Sequence, residues 1–176
     1  MVGEIRDPET AQIAVQSALT GHLVFTTVHA NNVFDVLGRF AHMQTDAYAL
    51  VAALNGILAQ RLVRLICEQC AEPAQPTPDV VAQSDLLLPA VSGWQFRAGR
   101  GCAHCRGTGY KGRRAIGELL VLNDELREAI VARAPARRLK ELALAGGSKL
   151  LRTAALELVQ HGVTTLLEAN RVTALA

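Results

Sequence analysis

The first residues of the chain show the hydrophobic pattern of a strand–helix–strand unit. Residues 8–19 carry apolar side chains at helical spacing after Asp7-Pro8, a pair typical of an N-cap and the first helical residue. Residues 23–28 are apolar and β-branched, which predicts a strand. If Met1-Val2 ends an earlier strand, the two strands and the helix between them would form a right-handed parallel crossover.

Two further helices are predicted from the same periodicity. The first covers residues 33–43. The second covers residues 47–66 after the N-cap Asp46, because apolar residues recur every three or four positions throughout it. This long, mostly buried helix would lead directly into the first cysteine of the chain.

The second half of the chain changes character twice before it becomes helical. Residues 71–93 contain several prolines, glutamines and serines, which predict an extended or loosely helical insert. Residues 96–120 are rich in glycine and basic residues, a composition typical of knuckle loops and a hairpin. From residue 123 the pattern predicts helices to the end of the chain. Their N-terminal signals include Asp124, Ser148 and the capping box Thr165-Leu-Leu-Glu168.

Composition and charge exclude several classes of protein. Half of the 176 residues are apolar, which is enough for a packed core, and the net charge of +2 creates no overall field for nucleic acid or an anionic membrane. The N-terminus is acidic and has no apolar signal-peptide region, and no run of about 18 apolar residues could span a membrane. We therefore expect a soluble intracellular protein.

Four cysteines form two CxxC pairs, Cys67/Cys70 and Cys102/Cys105, which are separated by 31 residues. Each CxxC turn supplies two thiolates, and two such turns complete the tetrahedral site that structural zinc prefers. Four free buried thiols are the plainer alternative. A thioredoxin-like redox pair is another, although neither pair lies between a strand and a helix. The spacing predicts structural zinc held by the four cysteines, with His104 pointing away and no open position for metal catalysis.

Glu4 and His29 gain significance from their predicted positions. A glutamate near a terminus is usually solvated, and a lone histidine is more often structural than catalytic. In the predicted crossover, however, both residues lie just past the C-terminal ends of neighbouring parallel strands, where open α/β sheets bind ligands. A carboxylate there can hold Mg²⁺ through water or orient a nucleophilic water, and an imidazole can contact a γ-phosphate.

Four long segments carry a family resemblance and together cover nearly the whole chain. They are VGEIRDPETAQIAVQSALTGHLVFTTVHANN, GILAQRLVRLICEQC, GCAHCRGTGYKGRRAIGELL and GVTTLLEANRVT. In this order they resemble the secretion ATPases, the motors of type II secretion and type IV pilus assembly. The two cysteine pairs favour the assembly and secretion ATPases over the pilus retraction motors, which lack them.

The resemblance implies specific roles for the first residues of the chain. Gly3-Glu4 would belong to the Walker B region, and Glu4 would act through Mg²⁺ or the attacking water. His29 would end the histidine box, contact the γ-phosphate region of ATP and couple it to neighbouring subunits. Arg6 would join the nucleotide site, and with Asp7 it would brace the loop after the strand, although a helix N-cap is an equally favoured role for Asp7.

The chain also departs from the family. No GxxxxGK[ST] motif occurs in it, and the acidic box and the nucleotide-packing N-terminal domain are missing as well. We therefore expect this sequence to be the C-terminal part of a larger ATPase, with the phosphate-binding loop upstream of Val2. On this basis the isolated chain should neither hydrolyse ATP nor bind it tightly.

The predicted fold is α/β and consists of three consecutive parts. Residues 1–66 would form part of a RecA-like P-loop NTPase core, residues 67–122 a tetracysteine zinc insert, and residues 123–176 an α-helical C-terminal subdomain. The cofactors are structural Zn²⁺ in this chain, with ATP and Mg²⁺ in the full-length parent.

The expected partners follow from the resemblance. They are other copies of the parent in a hexamer and the inner-membrane platform protein of the machine, which would place the protein in the cytoplasm at the inner-membrane face of a Gram-negative-type bacterium. The alternative is a non-catalytic zinc-containing binding module, because residues 97–114 carry six arginines and lysines. Such a module would dock on protein rather than nucleic acid, since few aromatic residues are available to stack on bases.

Overall fold

The computed structural model describes residues 1–84, 86, 91 and 93–173. The helices are α1 (Pro8–Leu19), α2 (Val33–His42), α3 (Ala47–Ala53), α4 (Pro78–Ala82), α5 (Asp124–Val131), α6 (Ala136–Ala145), α7 (Leu151–Gln160) and α8 (Leu166–Val172). The strands are β1 (Gly56–Ile66), β2 (Ala71–Pro73), β3 (Arg97–Gly99) and β4 (Tyr110–Val121). Part of the predicted insert over 71–93 lies outside the described residues. The part that is described contains β2 and α4.

Side chains cap the first three helices at their N-termini. The caps are Asp7, Asn32 and Asp46, and each accepts a hydrogen bond from a backbone N–H in the first turn of its helix. These N–H groups have no partner within the helix, so the caps fix where each helix begins. The predicted helix over residues 8–19 is confirmed. The helix predicted over residues 33–43 is also confirmed and ends at His42.

Residues 1–5 and 23–28 lie side by side, although neither segment forms a regular strand. The backbone N–H of Val2 donates to the carbonyl of Phe25 at 2.9 Å, and that of Ile5 donates to the carbonyl of Thr27 at 3.0 Å. Since both residue numbers rise together, the two segments run in the same direction. This direction agrees with the predicted parallel crossover through α1. The two segments make these backbone hydrogen bonds without forming a regular β-ladder.

The long helix predicted over residues 47–66 is wrong. Helix α3 ends at Ala53, and Asn55 leads into strand β1. Ile57 is buried whereas its neighbour Leu58 is 62% exposed, as the alternating faces of a strand require. Short apolar runs fit helical and strand periods almost equally well, and the pairing of β1 with β4 decides in favour of the strand.

Two antiparallel ribbons replace the predicted single hairpin. The N–H of Leu122 donates to the carbonyl of Asn55, and the N–H of Cys67 donates to that of Gly109, so β1 and β4 run in opposite directions. The second ribbon pairs β2 with β3, with Ala71 opposite Gly99. Cysteine pairs therefore lie beyond one end of the longer ribbon.

The chain divides into two compact units, each built from two separate segments. Unit 1 contains residues 1–59 and 118–149, and unit 2 contains residues 60–117 and 150–176. This division interleaves the three consecutive parts of the sequence prediction, because the predicted C-terminal subdomain contributes to both units. Each unit has its own buried residues.

Unit 1 has an apolar core between its helices and the end of β4. Leu120 is fully buried, Leu126 and Val33 are 1% exposed, and Ile5 and Ala11 also belong to this cluster. In unit 2, α7 and α8 pack together. Its fully buried residues include Val63, Ala155 and Ala169.

Two predicted helix starts near the C-terminus are corrected. Helix α5 is capped by Asn123, whose side chain accepts from the N–H of Leu126, rather than by Asp124. Helix α7 begins at Leu151 and has no side-chain cap, so Ser148 does not start it. Among the described residues, the helices are too short or too polar for any of them to cross a bilayer.

Candidate functional site

The structure brings Glu4, Arg6 and His29 together in unit 1. His29 Nε2 lies 2.8 Å from Glu4 Oε1. On the other side of the carboxylate, Arg6 Nε donates to Glu4 Oε2 at 2.6 Å, and Arg6 Nη2 also contacts this oxygen. The hydroxyl of Thr27 donates to the carbonyl of Gly3 at 2.7 Å and helps to hold the two segments in this register. The predicted neighbours are therefore in direct contact.

Glu4 is the least exposed member of this group. Its side chain is 18% exposed, whereas those of Arg6 and His29 are 72% and 77% exposed. The hydrogen bond from Arg6 is the main cause that lowers the pKa of Glu4. Burial acts against this lowering, and the charges of Arg6, His29 and Arg39 add to it. Glu4 is therefore a carboxylate at neutral pH.

One oxygen of Glu4 is left available for a ligand. Oε1 is shielded from solvent and receives no well-aligned hydrogen bond from the described part of the chain, so its contact with His29 is an ion-pair distance only. A buried acceptor without a donor is unfavourable unless a water or cation completes it. Carboxylate oxygens acting through water are typical of Mg²⁺ sites. The residues present thus fit a water-mediated Mg²⁺.

Asp7 acts as a helix cap. It accepts from the backbone N–H of Thr10 at 2.8 Å and from the Thr10 hydroxyl at 2.9 Å. The backbone hydrogen bond from Thr10 is the largest cause that lowers the pKa of Asp7. Of the two roles considered for Asp7, the structure supports the N-cap.

The four cysteines of unit 2 converge on one point. Their sulfur atoms all lie within 4.8 Å of one another. The Sγ atoms of Cys67 and Cys102 are 3.9 Å apart, as are those of Cys70 and Cys105, and those of Cys102 and Cys105 are 3.7 Å apart. In a tetrahedron with Zn–S bonds of about 2.3 Å, neighbouring sulfurs are about 3.8 Å apart. The cluster therefore has the dimensions and ligand type of a zinc site.

The surroundings of the cluster favour a thiolate at Cys105 and a neutral thiol at Cys70. Burial raises the pKa of Cys70 to about 12. Burial acts in the same direction on Cys105, but hydrogen bonds donated by the backbone N–H groups of Cys102 and Gly109 outweigh it and lower the pKa of Cys105 to about 6. Such N–H···S bonds hold the charge of a metal thiolate and fix the orientation of the sulfur.

Gly99 and Gly109 allow the backbone of β3 and the backbone just before β4 to come unusually close. A Cβ atom on Gly99 would lie 2.1 Å from the carbonyl oxygen of Gly109, and one on Gly109 would lie 2.3 Å from that of Gly99. Gly109 also has a φ of +75°, which a residue with a side chain rarely adopts. His104 lies in the second knuckle but is exposed and does not belong to the metal-binding cluster among the described residues.

A basic surface segment, residues 97–114, contains the second cysteine pair. Six cations are exposed here, and no ion pair involving them occurs within the described ranges. They are Arg97, Arg100, Arg106, Lys111, Arg113 and Arg114. Residues 86–117 contain no aspartate or glutamate. Tyr110 is engaged elsewhere and Trp94 packs on Phe96, so free aromatic residues for stacking on bases are scarce.

An ionic cluster around the buried Glu168 of unit 2 was not predicted from the sequence. The side chain of Glu168 is fully buried and pairs with Arg64 and Arg171, each through a contact of 2.7 Å. The predicted capping box is half formed, because Thr165 accepts from the N–H of Glu168 at 3.1 Å while the Glu168 carboxylate turns to the arginines instead. The signal in the sequence was the arginine three positions after Glu168, but the partner Arg64 is distant in the chain.

Comparisons with known proteins assign the chain to a family. A family model described as "Type II/IV secretion system protein" matches residues 1–171. The type IV pilus assembly ATPase PilB of Thermus thermophilus is 47% identical over 168 residues, which cover 96% of this chain and 19% of that protein. The type II secretion system protein E of Pectobacterium carotovorum is 44% identical over 177 residues, which cover 98% of this chain and 34% of that protein.

The fold is also similar to that of a solved pilus motor. The structure of the pilus retraction motor PilT with bound ADP matches 98% of this chain and 39% of that chain, with a TM-score of 0.63 and 23% identity. The chain thus spans between about a fifth and two fifths of these three proteins. The α/β class and the family resemblance drawn from the sequence are confirmed. The chain belongs to the type II/IV secretion system protein family.

Proposed function

We propose that this chain forms the C-terminal part of a hexameric ATPase that drives type II secretion or type IV pilus assembly. The observation that carries the proposal is the contact of Glu4 with His29 in a member of this family. The two residues come from neighbouring segments that run in the same direction, as the proposed partial RecA-like core requires. In this proposal Glu4 belongs to the Walker B region and His29 to the histidine box.

The geometry supports distinct roles for the three residues. Glu4, kept ionised by Arg6, would use Oε1, which accepts no aligned hydrogen bond in the described residues, to orient a water as a nucleophile or as a ligand of Mg²⁺. Mg²⁺ and ATP, when bound, supply the charge balance and the reacting phosphate. His29 is largely exposed. Through its contact with Glu4 it would link this carboxylate to the γ-phosphate region of bound ATP. Arg6 fixes the carboxylate by holding Oε2.

Replacing Glu4 by glutamine should reduce ATP turnover in the assembled motor by about 100-fold or more, because the amide cannot act as a base and has no charge for Mg²⁺. The measurement uses the Thermus thermophilus pilus assembly ATPase in which this chain replaces the matching 168 residues. Mg²⁺-dependent phosphate release is compared with that of the chimera without the substitution.

Glu9→Gln is the matched control, since Glu9 is an exposed acid in the first turn of α1 and should leave turnover unchanged. The chain on its own provides the baseline, and we expect no turnover from it because it lacks a GxxxxGK[ST] motif. Equal turnover in the Glu4→Gln and Glu9→Gln chimeras, or Glu4-dependent turnover by the isolated chain, would contradict the proposal.

The four cysteines are proposed to hold one structural Zn²⁺. Sulfur–sulfur distances of 3.7 to 3.9 Å and four soft ligands support this metal. With four protein ligands the ion has no position for a substrate, so its role is to tie the two knuckles together. Cys67, Cys70, Cys102 and Cys105 would all be thiolates in the metal-bound form.

The basic surface supports a docking role for unit 2. Four thiolates and one Zn²⁺ carry a net charge of −2, which balances two of the six exposed cations at most. We infer that the remaining positive charge meets an acidic face of the inner-membrane platform protein, placing the motor at the cytoplasmic side of that membrane. The non-catalytic binding module considered as an alternative would use the same surface.

Reversing the charge of Arg113 and Arg114 to glutamate should reduce capture of the platform protein's cytoplasmic domain by about tenfold or more in a pull-down at physiological salt. Arg137→Glu/Arg138→Glu is the matched control, because this pair is also exposed but lies on α6 of unit 1. Unchanged capture by the Arg113/Arg114 variant would refute the docking surface. Salt-dependent binding of DNA or RNA instead would favour a nucleic-acid module.

A further inference from the structure

Glu168 is the buried centre of a hydrogen-bond cluster, which we call the latch. It consists of Arg64, Tyr110, Thr165, Glu168 and Arg171. Arg64 donates to Glu168 three times, from its backbone N at 3.0 Å, from Nε at 3.0 Å and from Nη2 at 2.7 Å. Arg171 donates from Nε and Nη2, both at 2.7 Å. Every acceptor direction of the carboxylate is therefore used.

Tyr110 and Thr165 extend the latch. The guanidinium of Arg64 lies over the ring of Tyr110, 4.2 Å from its centroid, and the Tyr110 hydroxyl contacts the Thr165 hydroxyl at 2.7 Å. Burial alone would raise the pKa of Glu168, but the two arginines hold it at about 2, so the latch stays ionic throughout the neutral range. A buried carboxylate held by two arginines is costly to break from either side.

The latch holds the chain immediately before the first cysteine pair, Cys67/Cys70. Arg64 stands three residues before Cys67. Its carbonyl accepts from the Thr164 hydroxyl at 2.7 Å, and the N–H of Ile66 donates to the carbonyl of Val163 at 3.0 Å. The segment that enters α8 is thus fastened to the last residues of β1.

The latch also holds the chain immediately after the second cysteine pair, Cys102/Cys105. Tyr110 follows Gly109, whose N–H donates to Cys105 Sγ at 3.3 Å and whose carbonyl accepts from the N–H of Cys67 at 2.9 Å. The buried carboxylate of Glu168 thus contacts the segment before the first cysteine pair directly, through Arg64, and the segment after the second pair indirectly, through the stacking of Arg64 on Tyr110.

We propose that Glu168 is a positioning residue for the tetracysteine metal site, and that α8 must stay latched for the two knuckles to retain their metal. This inference rests on the proposed zinc site. The partners that orient the ligands of a metal typically change its retention by about 10- to 100-fold when they are lost. Glu168 acts one step further out, on the strands that carry the ligands.

The test measures zinc release into a chromogenic chelator from the purified chain and from Glu168→Gln. The substitution keeps the size of the side chain but leaves it uncharged between two arginines, and we expect zinc to leave about 10- to 100-fold faster. Arg171→Gln is a milder second variant, since Arg171 is half exposed and Arg64 still holds the carboxylate. It should fall between the wild-type chain and Glu168→Gln.

Val159→Ala separates positioning from general destabilisation. Val159 is 1% exposed on α7 of the same unit, so alanine there weakens the unit without touching the latch. Release rates are compared at a temperature where circular dichroism shows all variants folded. Faster release in Glu168→Gln but not in Val159→Ala supports the latch, and equal rates in these two variants overturn it.

A reciprocal measurement completes the test, because coupling between two sites acts in both directions. Removing zinc from the wild-type chain should speed amide hydrogen exchange in residues 163–172 and leave α6 of unit 1 unchanged. Unchanged exchange in α8 would refute the coupling. If the wild-type chain binds no zinc at all, the proposed zinc site fails instead, so the two failures are distinguishable.

Discussion

Replacing Cys67 and Cys102 by serine should abolish zinc binding, reducing the metal content from about one ion per chain to near zero. The two residues belong to different cysteine pairs. The double variant therefore keeps one thiolate in each pair, which is too few for a tetrahedral set of four ligands. Binding to four thiolates stabilises small zinc domains by an apparent 10–16 kcal/mol, roughly the whole stability of such a unit. We therefore expect this double substitution to lower the unfolding temperature more than any other substitution proposed for this chain.

Apolar packing around the site would not compensate for the lost metal. Around the site, the buried apolar cluster consists of the cysteines themselves, and no larger side chain joins it among the described residues. The strands on either side meet through the backbones of Gly99 and Gly109, which contribute no side-chain packing. Without metal, the sulfurs would be buried groups with few other apolar neighbours.

Metal analysis and thermal unfolding of the purified chain check this expectation. His104→Ala is the matched control, because His104 lies between two of the cysteines but is exposed and outside the sulfur cluster. It should keep a full complement of zinc and the unfolding temperature of the wild-type chain. A Cys67→Ser/Cys102→Ser variant that still holds one zinc per chain would show that the ligand set is wrong.

Truncating Leu120 to alanine should destabilise unit 1 by about 2–5 kcal/mol, because the removed atoms leave a cavity in a core that cannot fully collapse. Leu120 is fully buried on β4, within the cluster that includes Val33 and Leu126. For a unit of this size the loss corresponds to a fall in unfolding temperature of roughly 10 °C or more. Urea titration followed by circular dichroism measures it directly.

The neighbouring residue supplies the control for this prediction. Leu119 is 52% exposed and points to the opposite face of the same strand, so Leu119→Ala should change the free energy of unfolding by about 0.5 kcal/mol or less. Similar losses for both leucines would mean that β4 does not bury one face against the core.

Local signals in the sequence were sufficient for the first helices. Asp7-Pro8 and Asn32 mark helix starts because a short polar side chain satisfies free N–H groups nearby in the chain, and no distant residue is needed. The approach of Glu4 and His29 could also be anticipated, since the direction of a crossover follows from the length of the helix between two extended segments. The four cysteines could be identified as one candidate metal-binding set from their spacing alone.

Features that depend on distant partners were not predictable in the same way. Residues 56–66 are a strand because β4, more than forty residues later, pairs with them, and their own periodicity also fits a helix. Glu168 was expected to close a capping box locally. It turns instead to Arg64, whose guanidinium pairs with the buried carboxylate, a contact that a capping box does not provide. Non-local pairing overrides local preference at both places.

The discontinuity of unit 2 has a consequence for how the protein is made. Translation proceeds from the N-terminus, so Cys67, Cys70, Cys102 and Cys105 leave the ribosome well before residues 150–176, which complete their unit. These thiols are therefore synthesised before α8, and the last segment of unit 1, residues 118–149, is synthesised between them and α8. Because contacts between such distant segments form late, the packing of residues 150–176 on residues 60–117 would follow the synthesis of both segments.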